Sequence, residues 1–134
     1  MARNDTFHCS VITPERAVLE ADATFVAFPA HDGEVGILRN HAPLLYKLGV
    51  GLLRVETPEG NHAFFVDGGF AQMVENRLTL LTEQARPAAE VDRAAAEKAR
   101  EEVRAAESSD ARHRAQQRAR VLERIASANA SASR

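Results

Sequence analysis

The sequence predicts an all-β sandwich of about ten strands over residues 1–86, followed by an antiparallel α-helical hairpin over residues 87–134. Three observations support this division. All seven glycines and all six phenylalanines precede residue 87, and none follows it. Upstream, short apolar runs alternate with turn residues, as they do in sandwiches and barrels. Downstream, small apolar residues recur at the spacing of one helix face.

The predicted strands lie in apolar runs separated by turn residues: FHCSVI, RAVLEA, ATFVAFP, LLRVE, AFFV and RLTLLT. Residues 58–61, PEGN, separate two of these runs, and Asn76 separates AQMVE from RLTLL. Both positions therefore predict hairpin turns. Gly68-Gly69 interrupts the alternation, which predicts a β-bulge or the close approach of another backbone.

From residue 87 onward the apolar residues recur with the period of an α-helix. Pro87 suits the first turn of a helix, and after a break at Ser108-Ser109 the predicted N-cap of a second helix is Asp110. The first helical stripe consists of Val91, Ala95, Ala99, Val103 and Ala106. The second consists of Ala111, Ala115, Ala119, Leu122 and Ile125 or Ala126. The closing residues SANASASR are expected to fray.

The alanine-rich stripes predict helices that form readily but bury little apolar area against a neighbour. Such a helix pair can separate without unfolding, as a mechanical arm or a regulatory switch requires. A permanently packed hairpin is the alternative interpretation.

Charge distinguishes the two helices. Residues 90–110 contain seven acidic and four basic side chains, whereas residues 111–126 carry a net charge of +4. The basic side chains are those of Arg112, Arg114, Arg118, Arg120 and Arg124. They form either a solvated face, whose positive charge partly balances the negative charge of the first helix, or a surface that docks onto an acidic protein. Nucleic acid is not an expected partner, because no aromatic residue accompanies the arginines for base stacking.

No enzyme signature accompanies this organisation. His31, Asp32, Glu34 and His41 match no ligand spacing for a metal, so a polar turn explains them better and no metal site is predicted. Neither a GxGxxG fingerprint nor a GxxxxGK[ST] phosphate loop occurs. The single cysteine, Cys9, lies in an alternating strand and is predicted to be a buried thiol.

The location of the protein is constrained by three further features. The N-terminal stretch MARNDTFHCS lacks the apolar core of a secretion signal, and no run approaches the roughly 20 apolar residues of a membrane-spanning helix. A lone cysteine fits a reducing compartment. We therefore expect a cytosolic protein.

Five motifs, in their order along the chain, resemble the epsilon subunit of a bacterial F-type ATP synthase. They are TPER at residues 13–16, DGEVGILRNHAPLL at 32–45, GLLR at 51–54, DGGF at 67–70 and LTLLTEQA at 78–85, and the helical pair follows them. Each motif alone is weak, whereas their order and spacing together are specific. One departure is Arg39, where relatives often have proline.

The resemblance implies a ten-stranded sandwich that binds the gamma subunit at the foot of the central stalk and rests on the membrane rotor ring. It would be a rotor part without catalytic residues, held as a peripheral subunit at the cytoplasmic face of the inner membrane. The residues expected to contact the ring and gamma are Glu34, Gly36 and His41. A purely connecting turn is the alternative.

Backbone chemistry also predicts the shape of residues 32–45. Gly33 and Gly36 would allow sharp turns, and Pro43 would restrict the chain before Leu44 and Leu45 anchor it. The residues between them would form a rigid protruding surface.

The resemblance further implies a brake on ATP hydrolysis, in which the C-terminal helices extend along gamma and bring the arginines of residues 112–124 to acidic loops of the catalytic subunits. Some relatives bind ATP through an (I/L)DxxRA motif. Here that motif begins at Val91, and Ala95 replaces its arginine, which leaves Asp92 as a nucleotide-binding candidate. We expect ATP to bind weakly or not at all, and no other cofactor. A free-standing module that binds an acidic protein and an ATP-sensing subunit are the alternative functions.

Overall fold

The computed structural model describes residues 5–132, which form ten β-strands and two α-helices. The strands are β1 (Phe7–Ile12), β2 (Ala17–Ala23), β3 (Phe25–Ala30), β4 (Gly33–Ile37), β5 (Leu44–Lys47), β6 (Val50–Thr57), β7 (Gly60–Asp67), β8 (Phe70–Val74), β9 (Arg77–Leu81) and β10 (Ala85–Pro87). A 3₁₀ turn at Ala88–Glu90 precedes α1 (Arg93–Ala105) and α2 (Ser109–Ala132).

The chain divides into two compact units, one ending at Ala85 and the other beginning at Arg86. That residues 1–86 and 87–134 are separate domains that fold independently stays a prediction.

The strands form two five-stranded sheets, which confirms the predicted sandwich. Sheet A has the order β2-β1-β9-β8-β5, and sheet B has the order β10-β7-β6-β3-β4. The pairing of β1 with β9 is parallel, whereas the hairpin pairings of β6 with β7 and β8 with β9 are antiparallel. Strands β4 and β5 therefore lie at sheet edges, one in each sheet.

The core of the sandwich consists of large apolar side chains from both sheets. Its fully buried members include Phe28, Ile37, Leu53, Val55, Met73, Leu78 and Leu80. Because successive side chains of a strand point to opposite faces, the residues between these positions lie on the outer faces. Full burial of a Leu or Phe side chain contributes about 1.5–3 kcal/mol, so this cluster is a major source of the sandwich's stability.

Both predicted hairpin turns are present. A tight turn joins β6 to β7, where Thr57 Oγ1 donates to Gly60 O over 2.6 Å. Glu75 and Asn76 join β8 to β9, and their φ angles of 48° and 62° are those that the favoured two-residue hairpin turn requires.

The predicted close backbone approach occurs at Gly69, where the chain leaves sheet B and enters sheet A. Gly69 has a φ of +112°, and a Cβ atom at this position would lie 1.9 Å from Leu81 O. The Gly69 carbonyl also accepts a 2.8 Å hydrogen bond from Leu48 N. Any side chain here would collide with the backbone at the end of β9.

The first helix begins later than the sequence predicts. Pro87 ends β10, and α1 starts only at Arg93. Asp92 is its N-cap, because Asp92 Oδ1 accepts a 3.0 Å hydrogen bond from Ala95 N. The expectation that Pro87 opens the helix is therefore wrong.

The second helix also has a different cap from the predicted one. Ser108 Oγ accepts a 3.1 Å hydrogen bond from Ala111 N, and Asp110 lies within the first turn of α2. A carboxylate in the first turn still interacts favourably with the helix dipole.

The expected fraying of the C-terminal stretch is wrong for residues 127–132, which continue α2. Asn129 Nδ2 donates to Ala88 O over 2.7 Å and to Val91 O over 2.9 Å, and these bonds hold this part of the helix. Residues 133 and 134 of that stretch, and residues 1–4 of the N-terminal stretch, lie outside the described residues.

The predicted helical stripes match the burial of the hairpin in part, because Ala95, Val103, Ala106 and Ala111 are only half-buried. Its buried helical residues are Ala96, Ala99, Ala115, Ala119, Leu122 and Ile125. Ala96 is the one buried member that the predicted stripes omit. Neither described helix is long and apolar enough to cross a membrane.

Candidate functional site

Residues 32–45 carry the chain from the edge of one sheet to the edge of the other. β4 is the edge strand of sheet B beside β3, and β5 is the edge strand of sheet A beside β8. The interrupted pattern of this stretch thus reflects an edge strand, a turn and a second edge strand. All the residues from 38 to 43 are exposed, so the turn is available to a partner.

Two residues of this stretch differ from expectation. Gly33 has a φ of 142° and fits the predicted turn, but Gly36 lies inside β4 without a positive φ. A Cβ atom at Gly36 would lie 3.1 Å from the ring of Phe25, so the absence of a side chain makes room for that ring. Leu44 packs against the core, whereas Leu45 is 71% exposed. The predicted sharp turn at Gly36 and anchor at Leu45 are therefore wrong.

The exposed turn has a defined hydrogen-bonded geometry. His41 N donates to Leu38 O over 3.2 Å, and Asn40, in the third position, has a φ of 66°. A positive φ at that position is the mark of a type II turn. His41 Nδ1 lies 2.8 Å from Ala42 O. Because a carbonyl only accepts, this contact is a hydrogen bond when Nδ1 carries a proton.

A side-chain contact ties this turn to sheet A. Asn40 N donates to Asn76 Oδ1 over 2.7 Å, and Asn76 Nδ2 donates to Asn40 Oδ1 over 3.0 Å. The backbone carbonyl of Asn76 accepts a 2.9 Å hydrogen bond from His8 N. This contact was not predicted from the sequence, where its only signal was an asparagine in each of two turns.

Glu34 and His41 do not lie together. Glu34 Oε1 accepts a 3.1 Å hydrogen bond from Arg54 Nη2, and both side chains are about half exposed, so the pair is worth about 0–1 kcal/mol. Glu34 lies near the start of β4 and His41 beyond its end. The two predicted polar contacts thus occupy opposite ends of one edge strand.

An apolar row crosses the outer face of sheet A. Ile12 pairs with Leu81, and Leu81 pairs with Phe70, so the three side chains are neighbours across β1, β9 and β8. Phe70 and Leu81 are 52% and 51% exposed. They line a groove of about 380 Å³ together with Thr13 and Pro14. We call Ile12, Leu81 and Phe70 the apolar row.

The apolar row was not identified from the sequence. Its signal was available, because β8 and β9 place apolar residues in both phases of the strand alternation. The next row on the same face is polar and contains Gln72, Thr79 and Ser10. A contiguous exposed apolar patch with a polar rim marks an interaction surface.

Within the hairpin unit, polar contacts join α1 to α2. Arg100 pairs with Glu123, and Arg118 lies 3.9 Å from Glu102. Arg112 Nη2 donates to Ala106 O over 3.4 Å. Two of the five predicted inhibitory arginines, Arg112 and Arg118, thus make contacts that link the two helices of the hairpin.

The other three arginines, Arg114, Arg120 and Arg124, are exposed and make no ion pair within residues 5–132. Arg120 and Arg124 are one turn apart and lie opposite the buried stripe of Ala115, Ala119 and Leu122. These three side chains are therefore available to an external acidic surface.

A groove of about 670 Å³ lies at the open end of the hairpin. Its charged lining consists of Asp92, Arg93, Glu97, Arg100 and Glu123. The Asp92 carboxylate caps α1, and Arg100 is paired with Glu123. With three carboxylates against two cations, the groove is a poor match for a triphosphate.

Cys9 is fully buried, which confirms the predicted buried thiol. Burial raises the pKa of this thiol from 9.0 to about 12, so it stays protonated at neutral pH. Among residues 5–132, no group of three His, Cys, Asp or Glu side chains is placed to hold a metal ion.

The fold and its surfaces define a class of protein: a two-sheet β-sandwich followed by a helical hairpin, with an exposed apolar row on one sheet. Residues 6–88 match the family model of the ATP synthase Delta/Epsilon chain, beta-sandwich domain. The chain belongs to this family of ATP synthase subunits.

Individual relatives agree with this assignment. The chain is similar to the ATP synthase epsilon chain of Rhodopirellula baltica, with 46% identity over 82 residues, which cover 61% of this chain and 64% of that relative. It is similar to the ATP synthase epsilon chain of Nitratidesulfovibrio vulgaris, with 39% identity over 94 residues and 70% of each chain covered. Its fold resembles a chain in the cryo-EM structure of the Euglena gracilis mitochondrial ATP synthase (OSCP/F1/c-ring), with a TM-score of 0.76, 22% identity and coverage of 96% and 84%.

Proposed function

We propose that this protein is a non-catalytic rotor subunit of an F-type ATP synthase, which couples the gamma subunit to the membrane rotor ring and restrains ATP hydrolysis through its C-terminal helices. It would work at the cytoplasmic face of the membrane as a peripheral subunit. The observation that carries this proposal is the family match, which spans residues 6–88 and thus nearly all of the sandwich.

The apolar row is the surface that we assign to gamma. Permanent interfaces have apolar centres with polar rims, and the row of Ile12, Leu81 and Phe70 beside the polar row of Thr79 and Gln72 has this arrangement. Burial of the exposed halves of Phe70 and Leu81 would favour a lasting contact.

The polar contacts that we assign to the ring and gamma come from two places. Glu34 projects from the edge strand β4, and Gly36 shapes that strand by leaving room for Phe25. His41 stands at the other end, on the turn that joins the sheets. Since these groups lie apart, each contacts its partner separately.

The braking function is assigned to the hairpin. Its helices bury mostly alanine and are joined by a few exposed polar contacts, so separation of α1 from α2 disrupts little apolar packing. An extended α2 would present Arg114, Arg120 and Arg124 to acidic loops of the catalytic subunits. ATP is at most a weak regulatory ligand, for two reasons. The Asp92 carboxylate already caps α1, and Ala95 stands where the nucleotide-binding motif has arginine.

Capture of the full chain by an isolated gamma subunit tests the proposal. The variants Phe70→Asp and Leu81→Asp should weaken gamma binding at least about 100-fold, because each places a charge in an apolar contact. The control Thr79→Asp, on the same face but in the polar row, should change binding less than about threefold.

Thermal unfolding must show that each of these variants remains folded. If both apolar variants bind gamma as wild type does, the assigned surface is wrong. If the chain fails to bind gamma but binds an acidic protein through its arginines, a free-standing binding module is the better function.

A further inference from the structure

We propose that Asn76 is the positioning residue of the turn at residues 38–41, and that it supplies the conformational restraint which the sequence of that turn lacks. The proposal rests on the proposed function only where it assigns this turn to the rotor partners. The restraint itself is a property of the free chain.

The second position of the turn lacks the residue that its shape favours. A type II turn favours proline in the second position, which presets φ, and glycine or asparagine in the third, which must adopt a positive φ. Here Arg39 occupies the second position and Asn40, at φ 66°, the third. Arginine leaves φ unrestricted, so the unconstrained turn has more conformations to lose than one containing proline.

Packing does not supply the missing restraint. Every residue from 38 to 43 is exposed, and Leu38 is 60% exposed although it is apolar. Within the turn, the 3.2 Å bond from His41 N to Leu38 O joins two exposed residues. A single bond of this kind contributes little to holding an exposed loop.

The side chain of Asn76 closes a ring of hydrogen bonds on Asn40. Its Oδ1 accepts from the Asn40 backbone N over 2.7 Å, and its Nδ2 donates to the Asn40 side-chain oxygen over 3.0 Å. Rotation of the Asn76 amide by half a turn would place a donor against the Asn40 N–H, so only one orientation satisfies both groups. The pair thus fixes the backbone and the side chain of Asn40 together.

Asn76 is itself held firmly. It occupies the β8–β9 turn with a φ of 62°, and its carbonyl accepts the bond from His8 N. The anchor for the 38–41 turn is therefore sheet A. A turn ordered in this way presents His41 in one orientation and reduces the entropy that docking would otherwise cost.

Amide hydrogen exchange on the full chain tests the positioning directly. The variant Asn76→Gly keeps the β8–β9 turn, because glycine suits its positive φ, and it keeps the carbonyl that His8 N uses. We expect exchange at the His41 amide to rise about tenfold, since two hydrogen bonds to the turn are lost. Exchange at the core amides of Leu53 and Leu78 should stay unchanged.

A rescue separates restraint from a general structural effect. Adding Arg39→Pro and Asn40→Gly to Asn76→Gly should restore the protection of His41, because the two replacements are those a type II turn favours. The matched control Arg39→Ala with Asn40→Gly in the same background should not. The proposal is overturned if Asn76→Gly changes His41 exchange less than twofold, or if the core amides loosen as much as His41 does.

Docking is measured separately with a purified complex of gamma and the rotor ring. Asn76→Gly should weaken binding about fivefold, and the Pro-Gly rescue should restore it. If His41→Ala and Asn76→Gly both bind as wild type while the exchange results hold, the assignment of the turn to the rotor partners fails and the positioning by Asn76 stands.

Discussion

The sandwich and the hairpin are stabilised in different ways. The sandwich buries Phe28, Ile37 and Leu53 completely, whereas most of the buried helical residues of the hairpin are alanines. Alanine gives a helix high intrinsic propensity but little area to bury, so the hairpin relies more on local helix formation and on polar contacts between its helices. One chain thus combines a unit whose packing resists change with a unit whose packing is easily rearranged.

The largest expected effect is in the sandwich core. Phe28→Ala should lower the free energy of unfolding by about 3–5 kcal/mol, because Phe28 is fully buried and its ring forms a T-shaped pair with Tyr46. In the hairpin, Ala119→Gly should cost only about 1 kcal/mol, mainly through helix propensity. Denaturant unfolding measures both. If Phe28→Ala lowers the free energy of unfolding by less than about 1 kcal/mol, the sandwich does not depend on core packing more than the hairpin does.

A second difference is expected in alkali, because the only cysteine lies in the sandwich. The pKa of Cys9 is about 12 in the fold against an ordinary value of 9.0. Above pH 9 the unfolded chain releases this proton and the folded chain retains it, so stability is complete below pH 9 and falls as the pH rises toward 12. The expected slope is about 1.4 kcal/mol per pH unit. Cys9→Ala should lack this part of the pH dependence, and an unchanged slope would contradict the assignment to Cys9.

A smaller effect is expected where the hairpin is held by polar contacts. Asn129→Ala removes two hydrogen bonds to Ala88 O and Val91 O and should destabilise the end of α2 by about 1–2 kcal/mol. Amide exchange over residues 125–132 should increase, while Ser131→Ala, at an exposed neighbouring position, should change it little. If the extended hairpin is the brake, Asn129→Ala should also lower ATP hydrolysis by the assembled enzyme. Equal exchange in the two variants would show that Asn129 does not hold the helix.

The smallest effect on stability is expected at the exposed arginines. Replacing Arg114, Arg120 and Arg124 with alanine should change stability by less than about 1 kcal/mol, because none is paired within residues 5–132. The same change should raise ATP hydrolysis at low salt, and added salt should abolish the difference. Arg112 and Arg118 of α2 contact Ala106 and Glu102, so replacing these two arginines should instead destabilise the folded hairpin. If hydrolysis by the triple variant equals wild type in enzyme that retains the subunit, the exposed arginines are only a solvated face.

Local signals explain why much of the fold was predictable. The PEGN turn, the Asn76 turn and the close approach at Gly69 follow from glycine and turn chemistry, and the helical stripes follow from spacing. The caps were harder, because Ser108 and Asp110 are both good N-caps and only the start of the hydrogen-bonded turn selects between them.

The candidate site was less predictable because it depends on contacts between distant segments. The Asn40–Asn76 pair joins residues 36 positions apart, and the apolar row depends on the register of three strands. Likewise, Glu34 and His41 are close in sequence, but β4 separates them. Spacing along the chain does not fix any of these relations.

The parallel pairing of β1 with β9 has a consequence for biosynthesis. The first strand of the sandwich completes its hydrogen bonds only after the ninth has been synthesised, since β9 is its neighbour on the side opposite β2. Contacts this distant in sequence slow folding and leave a strand edge unpaired in the meantime. The helical segment follows β9 and β10, so while the ribosome is still translating it, the sandwich strands can emerge and close. During synthesis the sandwich can therefore begin to fold before the helical segment is complete.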